Sequence, residues 1–383
     1  MGAVVRILHL GDLHLGYEPR FLGPRAPAFQ AERDRVLERA VDFALRPESG
    51  VQLVVIAGDL FETHRPPARL VEHVLAQLRR LEAGGIPVVT VPGNHDEITY
   101  HDSVYLERRQ EWPGVLVTNP LPEHVATLEV AGVPVHLYSL AYRGGVTPTN
   151  PPLDRFPRAD GPGVHLAVFH GTLDSLGLPP DETGRSLPLR AEALARAEYD
   201  YIALGHIHAR HEIRVGRGVA VYPGPVEGKG FDDPGAGVWQ LVDLAPGGPV
   251  RLETVPAGRR PIETLDLDVT GMEGPEDLAA ALMARSNPQA ILRVRLTGAL
   301  GFPVDPEAMA ERLRDRFYHL EIVDETMSLS PALLAAWAQE PTVRGELVRR
   351  LQARWEAADE AERPVIALAL RYGLAALKGG TGR

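Results

Sequence analysis

Residues Val89–Glu97 read VTVPGNHDE. An apolar run closes at Pro92-Gly93, and the chain then sets Asn94, His95 and Asp96 side by side. Polar groups placed directly after a buried strand are costly to fold unless something occupies them. The stretch therefore predicts a strand that delivers ligands to a site.

Other apolar runs end the same way. ILHLGDLH carries Asp12 and His14, VVIAGDL carries Asp59, LAVFHG carries His170, and YIALGHIH carries His206 and His208. Sites of α/β sheets lie beyond the carboxyl ends of strands, where such loops converge. Five strand ends bearing Asp, Asn and His read as one coordination shell. Residues at i and i+2 on extended chain point to the same side, so Asp12 with His14, and His206 with His208, can serve one ion. Each piece alone is ordinary, because Asp after Gly is a common turn residue. Their joint occurrence carries the reading.

Oxygen and imidazole donors without thiolate fit manganese, iron(II) or zinc better than magnesium. Seven side chains exceed the three or four protein ligands of a one-metal catalytic site, which points to two divalent ions. Asp59, with two oxygens, is the natural bridge. Paired ions are a standard device for phosphate-ester hydrolysis.

The surrounding pattern alternates. Val4–Leu10, Val51–Ala57 and Ile86–Val91 read as strands, and Ala28–Leu45 and Ala68–Glu82 as helices, predicting an α/β domain. Shorter β-like runs from Val115 to Val255 predict a second, antiparallel or mixed sheet, giving a two-sheet core with helices outside. Arg143–Gly163, rich in Pro and Gly, reads as a long surface loop. After a composition shift near Ala257–Pro261, Ile262–Asp324 predicts a small β-α-β-α-β module. Pro331–Leu377 reads as amphipathic helix with a break near Glu340-Pro341, and the tail KGGTGR as disordered. The expected division is a main α/β domain over 1–257, a small module over 262–326 and C-terminal helices over 331–378.

The series Asp-x-His, Gly-Asp, Gly-Asn-His-Asp, His and Gly-His-x-His resembles the signature of the calcineurin-like metallophosphoesterases. The resemblance implies a two-sheet αββα sandwich. It also implies that Asp12, His14, Asp59 and His208 hold one ion, and that Asp59, Asn94, His170 and His206 hold the other. His95 would be the catalytic histidine beside the leaving group. A nearby carboxylate would keep such a histidine protonated between two cations. Glu62 is the candidate, with His64 as the alternative; related phosphatases carry Asp at the Glu62 spacing and some nucleases His. Asp96 reads as a brace for the loop through backbone N–H groups.

Within the superfamily, ILHLGDLHLG, GDLFETHRPP and VAVYPGPVEGKGFDD are similar to the SbcD-type DNA repair exonucleases. The resemblance implies manganese-dependent cutting of DNA phosphodiesters, with Tyr222 and Gly224 near the substrate and the module after Ile262 capping the site. It further implies docking of the C-terminal helices on an SbcC-like coiled-coil ATPase. Homodimerisation would run through Ala68–Leu81 or Asp102–Gln110. A phosphatase or cyclic-nucleotide phosphodiesterase with the same dinuclear core is the alternative.

Composition bounds these readings. The 383-residue chain has no cysteine, which excludes disulfides and zinc–thiolate sites. No apolar run approaches the roughly 20 residues that span a bilayer, and a cytoplasmic setting is expected. A net charge of −11 argues against a chain that coats nucleic acid unaided.

Overall fold

The apolar runs pair into two facing sheets in the computed structural model, which describes residues 3–144, 153, 155–178, 186–233, 235, 237–300, 302, 304–326, 328–329, 331–359 and 362–378. The chain divides into two compact units, Met1–Arg259 and Arg260–Arg383.

In the first unit, strands β1 (Val5–Leu10), β2 (Leu53–Ala57), β3 (Val88–Val91) and β4 (Val115–Leu116) run parallel. Sheet two holds β5 (Glu123–Val130), β6 (Val133–Ser139), β7 (Val164–His170), β10 (Tyr201–Gly205), β11 (His211–Val215) and β12 (Gly218–Tyr222), in the order β11-β12-β10-β7-β6-β5. A short pair, β8 (Thr172–Leu173) and β9 (Pro188–Leu189), lies between β7 and β10 in sequence. Strands β13 (Val238–Leu244) and β14 (Arg251–Pro256) return to sheet one, where β13 pairs antiparallel with β1, giving the order β14-β13-β1-β2-β3-β4. Both sheets are mixed.

The residues of β2 and β7 are buried on both faces, as expected of strands covered on both sides. Period-two alternation sorts β7 and β10. Val164, Leu166, Val168, Tyr201 and Ala203 join the large core that also takes β1, β2 and β3, while Ala167, Phe169, Ile202 and Leu204 join a second core. Each fully buried Val, Leu or Ile contributes about 1.5–3 kcal/mol. One polar pair sits within this apolar interior, with His9 Nδ1 2.9 Å from the Tyr201 hydroxyl and both residues fully buried.

Helices α1 (Ala26–Arg33), α2 (Val36–Ala44), α3 (Ala68–Ala83), α4 (Val104–Glu107) and α5 (Ala191–Ala197) complete the unit. The helical run expected over Ala28–Leu45 breaks at Asp34-Arg35. Asp34 Oδ1 accepts the Gly16 amide at 2.7 Å, and Arg33 is buried, so the break turns both side chains toward the loop that follows β1. Strand β11 and helix α5 were not foreseen. Of the loop expected at Arg143–Gly163, residues 145–152 and 154 lie outside the described residues, as do 379–383 of the tail.

The second unit carries a parallel three-stranded sheet, ordered β15 (Ile262–Asp268), β16 (Asn287–Thr297), β18 (Phe317–Asp324), with α6 (Pro275–Met283) and α7 (Pro306–Arg312) as the crossovers. A second pair joins β17 (Ala299–Leu300) to β19 (Ser328–Leu329). The C-terminal stretch forms α8 (Pro331–Ala338), α9 (Val343–Ala357) and α10 (Arg363–Lys378), packed in sequence. A further break, after Ala357, accompanies the one at Glu340-Pro341.

Candidate metal centre

Parallel pairing within each sheet brings the ligand-bearing ends together. Ala57 lies beside Val91, and Gly205 beside His170. The loops after β1 and β2 then zip to one another. The Asp12 amide donates to the Gly58 carbonyl at 3.2 Å, and the His14 amide to the Asp59 carbonyl at 2.8 Å.

This convergence demands unusual backbone. Asp12, His14, Asp59 and His206 take positive φ angles of 54°, 47°, 49° and 104°. Only Ala131 and Glu198 share that property among the described non-glycine residues. Such conformations cost on the order of 1–3 kcal/mol each and cluster where function requires them. The glycines of the motifs serve close approach. A Cβ on Gly58 would fall on the His170 ring, and one on Gly93 would fall on Asp59.

All seven predicted ligand side chains meet here. Asp12, His14 and His208 lie within one ion's reach, and so do Asp12, Asp59 and His170. Asp59 Oδ2 stands 3.6 Å from His14 Nε2 and 3.3 Å from His170 Nε2, between the two groups. Asn94 Oδ1 stands 2.9 Å from His170 Nε2 and 2.8 Å from His206 Nδ1. Both Asp12 oxygens accept the His206 amide, at 2.9 and 3.1 Å.

The second nitrogens decide what the first ones offer. His208 Nδ1 donates to Asp233 at 2.8 Å, and His14 Nδ1 stands 2.9 Å from the Glu62 carboxylate. The bond to Asp233 leaves the His208 Nε2 of a neutral ring as a lone pair, 3.1 Å from His14 Nε2. His170 Nδ1 donates to the Ala57 carbonyl at 2.9 Å, turning its Nε2 toward the Asn94 and Asp59 oxygens. Acceptors crowded on acceptors fit a pair of divalent cations.

The ion-free chain answers the same demand with a proton. Burial opposes charge on His170, but Asp59 and Asp12 push it up to about 9. Burial likewise opposes charge on Asp59, yet His170, then His14 and His95, hold its carboxyl well below the usual range. Burial pulls His14 and His206 down to about 3.

His95 is half-buried at the edge of this group, its ring centroid 4.6 Å from that of His14. Its amide donates to Asp59 Oδ1 at 2.9 Å, and its Nδ1 to the Glu62 carbonyl at 3.2 Å, with the Glu62 carboxylate 3.6 Å away. Asp96 accepts amides from Gly93 and Phe61 at 2.7 and 3.0 Å, bracing the loop. His64 turns elsewhere and stacks on Tyr100 at 4.2 Å.

Tyr222 requires a correction. It is fully buried, its hydroxyl donating to the Gly171 carbonyl at 2.7 Å and accepting the Leu173 amide at 2.9 Å. It is a brace behind His170 rather than a substrate contact. Gly224 adopts a φ of 80° in the turn that follows.

Three residues here escaped the reading of the sequence. Asp233 orients His208. The Lys229 ammonium binds both Glu62 oxygens at 2.8 and 3.1 Å and lies 4.7 Å from the Tyr17 ring centroid. Buried Arg33 donates to the His14 and Glu227 carbonyls, both at 2.9 Å. No periodicity or motif signals them, since Asp233 stands 25 residues from His208 and Lys229 stands 167 from Glu62.

Residues 5–210 match the family model described as calcineurin-like phosphoesterase. The chain is 30% identical over 239 residues to the DNA double-strand break repair protein Mre11 of Methanopyrus kandleri, covering 58% of this chain and 49% of that protein. It is 26% identical over 252 residues to the uncharacterized metallophosphoesterase YhaO of Bacillus subtilis, covering 63% and 57%. With the Mre11 of Halobacterium salinarum it shares 26% over 316 residues, covering 82% and 75%. The matches thus span about half the length of the first two relatives. Among the described residues, no helix is long and apolar enough to cross a membrane.

Proposed function

The chain belongs to the calcineurin-like phosphoesterases, and from that membership we propose that it is a two-metal phosphodiesterase cutting DNA in end-processing repair. One observation carries the reading: Asp59 Oδ2 stands between two groups of donors, His14 with His208 and His170 with Asn94 and His206. The similarity to proteins named for DNA double-strand break repair supports DNA as the substrate.

In this reading Asp12, His14, Asp59 and His208 hold one ion, and Asp59, Asn94, His170 and His206 the other. Manganese suits the oxygen and imidazole set, with iron(II), zinc or magnesium as substitutes. When bound, such a pair activates water and neutralises phosphoryl oxygens. His95 meets the departing oxygen as general acid, its Nδ1 proton fixed on the Glu62 carbonyl so that Nε2 faces outward. Glu62 positions His14 and His95 together. Gly224 lets backbone approach the substrate.

The proposal extends to partners and setting. Val343, Trp355 and Val365 on the C-terminal helices are exposed, which suits docking on an SbcC-like coiled-coil ATPase. Residues Ala68–Leu81 or the Asp102–Gln110 segment serve a homodimer, and the setting is the cytoplasm. The test is cleavage of end-labelled duplex DNA with manganese, magnesium and chelator side by side. Manganese-dependent shortening supports the reading. Turnover of p-nitrophenyl esters or cyclic nucleotides alone overturns it in favour of a phosphatase.

A further inference from the structure

Resting on the reading of the chain as a DNA phosphodiesterase, we infer that Tyr100 and His64 form a platform for one nucleobase, that of the nucleotide carrying the departing oxygen. The two rings stack with centroids 4.2 Å apart and planes 23° from parallel. Tyr100 is nevertheless 45% exposed. His64 takes one face of its ring, so the exposed surface is the other face and the edge. A lone exposed tyrosine is ordinary. An exposed ring whose back is held flat is a preformed surface, and it takes a flat ligand at little further cost in side-chain freedom.

Connectivity places the stack beside His95. The loop after β2 and the loop after β3 leave the metal centre together and are tied to each other along the way. The Phe61 amide donates to Asp96 Oδ2 at 3.0 Å, His95 Nδ1 to the Glu62 carbonyl at 3.2 Å, and the Val104 amide to the His64 carbonyl at 2.9 Å. His64 thus follows by two positions the residue that holds His95, and Tyr100 meets it from the loop that carries His95. As the proposed acid at the departing oxygen, His95 marks this as the leaving-group side.

The neighbouring charge suits a nucleotide better than a plain apolar ligand. Arg65, with its side chain 68% exposed, meets Asp102 at 3.2 Å. Surface ion pairs contribute little, so a phosphate can draw the guanidinium away. An aromatic face beside a cation is the combination that holds single strands. A base inside a duplex has both faces covered by its neighbours. The platform therefore selects DNA whose base at the cut is unstacked, as in a single-stranded or frayed end.

The experiment measures manganese-dependent cleavage of a labelled single strand by the full chain. The nucleotide that keeps the departing oxygen carries either its base or an abasic site. The wild type is expected to lose about 5–150-fold in kcat/KM on the abasic strand, through KM, as the loss of one stacked base does. Tyr100→Ala loses the same on the intact strand with kcat nearly unchanged, and no longer distinguishes the two strands. Tyr100→Phe behaves as the wild type. Should Tyr100→Ala fail to fold, Tyr100→Leu keeps the bulk and removes the aromatic face. Equal discrimination between the strands by wild type and variant, or a fall in kcat with KM unmoved, overturns the inference, because a ring that only braces the loops acts on both strands alike. Cleavage of neither strand by the wild type overturns the DNA reading itself.

Discussion

The Tyr105 hydroxyl donates to Asp96 Oδ2 across 2.7 Å, with both side chains fully buried. Asp96 follows Asn94, a proposed ligand, by two residues, so the loop that leaves the site there returns to the same carboxylate at Tyr105. Tyr105→Phe removes one of three donors from a buried acid and is expected to cost about 1–3 kcal/mol. Urea denaturation in chelator measures it, and an unchanged midpoint would show that the brace lies elsewhere.

Gly58→Ala strikes the centre through space alone. The added methyl meets the His170 ring at a backbone φ of 86°, so overpacking and left-handed strain combine to about 2–4 kcal/mol. The variant is expected to melt lower and lose manganese binding together. Retained binding at wild-type affinity would contradict the placement of His170.

His95→Gln separates chemistry from assembly. Removing a general acid typically costs 10²–10⁴-fold in rate. Since His95 is proposed as a non-ligand, manganese binding persists in calorimetry while turnover collapses. Loss of manganese binding instead would make His95 a ligand.

His9 gives the fold an acid limit. Burial pulls its pKa from 6.5 down to about 3, so the unfolded chain takes a proton that the folded chain refuses between those values. Protons bound only by the unfolded state make stability fall as pH falls from 6.5 toward 3, by about 2 kcal/mol for this group between pH 6.5 and 5. His9→Gln keeps a partner for Tyr201 but does not titrate. Its denaturation midpoint is therefore expected to drop less than the wild type's over that interval, and parallel slopes would refute the assignment.

The converging strand ends were legible because two independent signals coincide at each. Apolar runs such as Leu53–Ala57 mark the strand, and Asp or His directly after it marks an obligation to a ligand. What escaped reading acts across long sequence distance without periodicity. Lys229 and Glu62 are 167 residues apart, and His208 and Asp233 meet from an irregular segment. The break after Arg33 was hidden because both flanking turns keep helical spacing, and only the bond from Asp34 to Gly16 reveals why the chain turns. Tyr222 misled because a Tyr-Pro-Gly at a strand end reads alike whether its ring faces inward or outward.

The pairing of Val5 with Leu244 has a consequence for how the protein comes into being. Strand β1 leaves the ribosome well before its antiparallel neighbour β13, which emerges more than two hundred residues later. Closing so long a loop is slow, and until then β1 offers an apolar, half-paired edge of the kind that captures other chains. Asp12 and His14 thus wait 194 residues for His206 and His208. The hazardous interval for this molecule is the time on and just after the ribosome.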